Sequence, residues 1–229
     1  MRGHIAGGLA FWAGADVAYA GPWVQPQGDA YARASVAAER VEGLDAVRYD
    51  FYGEYGIAPK WTVTAKAERV DFVDAKDFSR EGFRATVRRN LWQRDTALVS
   101  VEMGAVYGAA IGGVRGCDEI GGEARLTGGA SGRWDGARWY GFADVATRIH
   151  DQGCWRDRLE IGAGREIYRD LYITNQIWLE RGSEESRSDK FEAGLLYRHP
   201  FGDLAIALRE EFSGRFDERS VVISVARRF

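Results

Sequence analysis

The chain contains no run approaching the roughly 20 apolar residues a transmembrane helix needs, so a helical membrane protein is excluded. It has no excess of one charge: 31 basic and 34 acidic residues leave a net charge of -3, and no basic patch suggests nucleic acid. Proline is scarce, at 4 residues, and there are 2 cysteines and 3 histidines. No His, Cys and carboxylate cluster has metal-ligand spacing, and no glycine-rich phosphate loop precedes a helix. No metal or cofactor is therefore expected. Helical spacing of apolar residues is nowhere sustained.

Glycine (29) and aromatic residues (13%) are abundant. The dominant pattern has period two, which in a strand places alternate side chains on opposite faces. Val47, Tyr49, Phe51, Gly53 and Tyr55 alternate with Arg48, Asp50, Tyr52 and Glu54. Phe83, Ala85, Val87 and Leu91 alternate with Arg84, Thr86, Arg88 and Asn90. The same pattern runs through 97–107 and 138–149. About twelve such segments are expected: 29–39, 46–55, 61–70, 82–92, 97–109, 122–133, 138–149, 157–167, 171–180, 190–198, 203–212 and 220–229. Each is near the length of a tilted transmembrane strand. Ten or fourteen strands are the alternatives.

Short connections are expected at 56–60, 93–96, 134–137, 168–170 and 199–202. Longer ones alternate with them, at 71–81, 110–121, 150–156, 181–189 and 213–219. Transmembrane barrels show this asymmetry between short inner turns and long outer loops. The prolines respect these boundaries: Pro22 and Pro26 precede the first strand, and Pro59 and Pro200 fall in turns. Tyr55, Trp61, Trp92, Trp139, Tyr168, Tyr197 and Phe229 gather at one end of the strands, as interfacial rings do. Phe83, Tyr107, Trp155 and Phe212 lie near the other end.

The two termini carry export and assembly patterns. Arg2 and His4 start the chain, Ile5 to Ala18 is largely apolar, and Ala18-Tyr19-Ala20 is an A-x-A cleavage site. Residues 1–20 are expected to be a signal peptide, despite the charge at Asp16, and 21–229 the barrel. The alternative is a short buried segment opening a soluble domain. Residues 21–28 read as an irregular lead-in. At the other end, Val221, Ile223, Val225 and Phe229 share one face, and the last residue is phenylalanine. This resembles the C-terminal signature of Gram-negative outer-membrane proteins, departing from it at Arg227. The resemblance implies recognition of Phe229 by the barrel-assembly machinery and a place in the outer-membrane lipid. The chain as a whole resembles small, porin-like outer-membrane barrels, some of them transporters.

The fold expected is all-β: a single antiparallel transmembrane β-barrel. Its charged face must then turn inward, because Arg or Lys against lipid costs about 2–4 kcal/mol at the midplane. The inward basic candidates are Arg33, Arg48, Lys66, Arg84, Arg88, Arg125, Arg133, Arg138, Arg148, Arg158, Arg198 and Arg209. The acidic ones are Glu39, Asp50, Glu54, Glu68, Glu102, Glu123, Asp144, Glu160, Glu166, Glu180, Glu192 and Glu211. Such groups either line a water-filled channel or seal a narrow lumen as a cross-linked core. The equal numbers argue against strong selectivity for ions of one sign. Cys117 and Cys154, in the third and fourth outer loops, can form a disulfide in an oxidising compartment.

Catalysis finds little support. Outer-membrane lipases and deacylases need a neighbouring His and Ser, and an omptin-like protease needs acidic pairs with a His at the outer rim. Only His150 beside Asp151 hints at either. The expectation is a non-enzymatic narrow channel or transporter for small polar solutes. A non-conducting structural or surface-interaction barrel is the alternative, and a lipid-acting enzyme a more distant one.

Overall fold

In a computed structural model, residues 21–108, 120–151, 153–183, 185–214 and 216–229 are described. The expected signal peptide lies outside them, as do Cys117 and most of the third outer loop.

The strands are β1 (Ala30–Val41), β2 (Leu44–Ala58), β3 (Trp61–Phe72), β4 (Arg80–Arg94), β5 (Ala97–Gly108) and β6 (Gly121–Trp134). They continue as β7 (Ala137–His150), β8 (Trp155–Tyr168), β9 (Leu171–Gly182), β10 (Arg187–His199), β11 (Gly202–Gly214) and β12 (Glu218–Arg228). Each pairs antiparallel with its sequence neighbours, and β1 pairs with β12, closing the barrel. The closing seam starts at the last residue: Phe229 and Ala30 exchange backbone hydrogen bonds of 2.9 and 3.1 Å. Closure leaves no unpaired strand edge, which a bilayer requires. The alternatives of ten and fourteen strands fall away.

Most strands run longer than their alternating pattern. The connection expected at 56–60 shrinks to 59–60, and that at 93–96 to 95–96. Backbone pairing continues through polar end residues such as Gln93 and Arg94, whose side chains break the alternation but not the ladder. Asp135 and Gly136 both have positive φ (53° and 75°), as the tightest hairpin turns require. Glu42 and Gly43 do the same (51° and 80°) at the opposite end, so the first outer connection is itself a tight turn.

Burial follows the alternation. Along β2, Arg48, Tyr52 and Glu54 are buried, while Tyr49, Phe51 and Tyr55 are about half exposed, at 48–52%. Leu126 and Val145 are cross-strand partners near the middle of β6 and β7, yet each is more than half exposed. An apolar outer wall around a polar interior is the inverse of a soluble protein and fits a lipid surround. The aromatic residues expected near the two strand ends stand on this outer wall.

Candidate functional site

The charged face of every strand turns into the lumen, and a cavity of about 300 Å³ occupies it. Arg48, Asp50, Lys66, Glu68, Arg84, Arg88, Glu102 and Arg125 line it, with Asp144, Arg148, Glu160, Glu180, Glu192 and Arg209. Glu54 is also interior, but lies beneath the cavity. Of the other inward candidates, Arg133 is exposed at the rim where β6 ends, and Arg138 pairs with Glu166 (2.8 Å) at the same end.

The lead-in, residues 21–28, forms the floor of the cavity. Its lack of alternation hid this role: it follows no strand register because it lies inside the barrel. Gly21 and Pro22 are buried. Ser100 donates to the carbonyl of Pro22 (2.7 Å), and Arg88 Nη1 to that of Trp23 (2.9 Å). The Gln25 amide donates to Thr62 Oγ1 (2.8 Å), and its side chain to Glu54 (2.5 Å). Trp23 meets Tyr140 edge to face at 6.5 Å and packs on a cluster of Tyr140, Phe142, Tyr172 and Leu196. Two glycines make room. A Cβ at Gly56 would lie 1.9 Å from the Pro26 carbonyl oxygen, and one at Gly129 2.4 Å from the Pro22 ring.

Above this floor, ion pairs join adjacent strands. Arg48 pairs with Glu39 (2.6 Å), Arg33 and Lys66 flank Asp50 (3.2 and 2.9 Å), and Lys66 also reaches Glu68 (2.7 Å). Arg125 grips Asp144, which also accepts from Thr127 at 2.6 Å. Arg209 pairs with Glu192 (2.8 Å) and lies 5.0 Å over the Trp178 ring. The wall of β11, β12 and β1 is small and neutral at mid-height, where Ala205, Ser224 and Ser35 form one row and Ala207, Val222 and Ala37 the next.

Opposite signs are unevenly shared. Arg88 lies between two carboxylates, Glu54 (2.9 Å) and Glu102 (2.8 Å). Lys190 likewise contacts both Glu218 and Glu211. Arg84 and Arg148, by contrast, share the single carboxylate of Glu123 (3.0 and 2.7 Å). Arg158 approaches Glu160 and Glu180 only at 3.5 and 3.9 Å. Equality of signs along the chain therefore conceals uneven pairing, in which some cations hold two carboxylates and others share one.

Cys154 is buried and disulfide-bonded; Cys117 lies outside the described residues. His150 is buried at the end of β7, on the inward side shared with Ala146 and Arg148. Among the described residues, no group of three or more His, Cys, Asp and Glu side chains could hold a metal ion.

The architecture has known counterparts. NanC porin aligns with a TM-score of 0.65 at 11% identity, covering 84% of this chain and 98% of its own. An outer-membrane channel from Pseudomonas putida F1 aligns at 0.57 and 8% identity, covering 93% and 100%. The fold is that of a bacterial outer-membrane β-barrel. The β domain of the Bordetella autotransporter BrkA shares it, with a TM-score of 0.52 and 14% identity over 88% of this chain and 99% of that domain. No protein-family model matches the sequence, and neither does any curated protein. The outer-membrane barrel presents its apolar wall to lipid and turns the charged face of its alternating pattern inward.

Proposed function

We propose that this outer-membrane barrel is a narrow channel for small polar solutes, closed on the periplasmic side by residues 21–28. The observation that carries this reading is the charged cavity itself. It begins on the lead-in itself, at Gly21, beside Arg88 and Tyr140, and reaches Gly108, Ser186, Arg187 and Phe216 at the outer strand ends. Structural filling alone requires no such space. A water-sized passage lined by fixed charges selects by size and electrostatics, and a lead-in held by a few hydrogen bonds is displaceable. The similarity to proteins described as a porin and an outer-membrane channel supports the reading. The inward orientation of His150 favours transport over a lipid-acting enzyme, whose His would stand on the lipid-facing wall.

The competing reading is a non-conducting structural or surface-interaction barrel, favoured by the lead-in and by ion pairs that bridge the lumen wall. Planar-bilayer recordings separate the two. Salt-dependent conductance steps, enlarged when the lead-in is loosened, are the expected result. A folded barrel that stays silent with and without the lead-in would discard the channel.

A further inference from the structure

At the outer end of the barrel, arginines on the lipid-facing wall carry their counter-charges with them. Arg69 pairs with Asp71 (2.9 Å), Arg219 with Glu210 (3.2 Å), and Arg40 approaches Asp45 (3.9 Å). At the short-turn, periplasmic end the arrangement differs. Arg89, Arg165 and Arg227 share the strand parity of Val87, Ala163 and Val225, so they stand on the same apolar wall. All three are exposed. Among the described residues none of them pairs with a carboxylate, and no lipid-facing strand position at this end holds one. Each lies over an aromatic ring instead. Arg89 stands 5.0 Å from the centre of the ring of Trp61, its cross-strand partner. Arg165 stands opposite Trp139 and 5.0 Å over the Trp134 ring. Arg227 stands 5.2 Å over the ring of Phe229. A ring face holds a guanidinium by cation–π attraction and stacking, and uses none of its N–H donors. The charge and its donors therefore stay available at the depth where interfacial rings sit.

We propose that Arg89, Arg165 and Arg227 form a belt that binds the phosphates of anionic phospholipid headgroups at the periplasmic interface. Lipid is the occupant because outward parity sets these side chains against the bilayer. The acceptor they meet there is phosphate, which suits a planar group with five donors. An anionic headgroup suits the belt better than a zwitterionic one. Phosphatidylethanolamine brings its own ammonium, which competes for the phosphate, whereas phosphatidylglycerol leaves it to arginine. A carboxylate beside each arginine, as at the outer end, would repel the headgroup. The belt also gives Arg227 a role. It interrupts the apolar face of the closing strand, and its guanidinium is held over the ring of the terminal phenylalanine. The proposal concerns the outer wall alone and goes beyond the channel reading, since it holds whether or not the lumen conducts.

The test is native mass spectrometry of the folded barrel in detergent, titrated with phosphatidylglycerol and, separately, with phosphatidylethanolamine of the same acyl chains. Phosphatidylglycerol is expected to bind about fivefold more tightly, the effect of one arginine beside anionic lipid. Arg165→Gln should reduce that preference, and the triple variant Arg89→Gln, Arg165→Gln, Arg227→Gln should abolish it. Arg219→Gln, which removes a charge already paired with Glu210, should leave it unchanged. Folding is checked by heat-shifted gel migration. Should the triple variant not fold, Arg165→Gln alone decides, and an unchanged preference there overturns the proposal. Equal binding of the two lipids, a preference that survives the triple substitution, or an equal loss in Arg219→Gln also overturns it.

Discussion

Arg88 donates 2.9 Å hydrogen bonds both to the main-chain carbonyl of Trp23 and to the carboxylate of Glu54, so one side chain of β4 ties the lead-in to the wall of β2. It also binds Glu102 and the Tyr52 hydroxyl. Arg88→Ala strands two buried carboxylates and is expected to destabilise the barrel by about 3–5 kcal/mol, the usual cost of breaking a buried pair from one side. Denaturant unfolding in phospholipid vesicles measures this. A loss below 1 kcal/mol, on the scale of exposed pairs, would show that water reaches these carboxylates freely.

Gly56→Val should open the floor and leave the strands intact. Its Cβ would overlap the Pro26 carbonyl, while a β-branched residue suits the ladder itself. Far-UV circular dichroism is expected to match the parent, and single-channel conductance to rise several-fold. An unchanged conductance would mean that the lead-in does not limit passage.

The orientation of the wall is tested at a single cross-strand pair. Leu126→Arg or Val145→Arg puts a cation against the acyl chains and should cost about 2–4 kcal/mol. Thr127→Ala, one residue from Leu126 on the inward face, loses a hydrogen bond to Asp144; a bond to a charged group contributes about 1.5–3 kcal/mol. The difference between the two sites is their dependence on lipid. The arginine penalty should shrink in detergent that lets water reach the wall, and the threonine penalty should not.

At Phe229 the backbone contact of the seam and the expected assembly signal separate experimentally. Its backbone closes the seam with Ala30, which any residue except proline can do. Its ring is two-thirds exposed on the outer wall, where we propose that the assembly machinery reads it. Phe229→Ala is expected to fold normally from urea into vesicles but to reach the outer membrane of cells at a reduced level. Equal levels would remove the ring from the assembly signal.

Strand type and facing were legible, and strand number nearly so, because alternation is local: Val47 to Tyr55 declares its two faces within nine residues, whatever its partners. The strand ends were less legible. Pairing at Gln93–Arg94 depends on the partner strand, not on their own character. The lead-in showed only as an absence of pattern. Its place inside the barrel is set by vacancies at Gly56 and Gly129, distant in sequence and meaningful only once the sheet has closed. The signal that could have found it was the pair of glycines on inward positions beside a proline- and tryptophan-bearing segment.

The sequence alone determined an all-β transmembrane barrel of about twelve strands with an apolar outer face and an inward charged face, because a charge against lipid is costly at its own position; closure of β1 on β12 fixed the count. Tertiary structure decided which charges meet. Inward acids and bases are equal in number along the chain, yet Arg88 holds two carboxylates while Arg84 and Arg148 divide one. The reason is physical. A side chain's face follows from its own parity, but its partner follows from strand stagger and tilt around the closed barrel, which bring residues from distant strands to the same height.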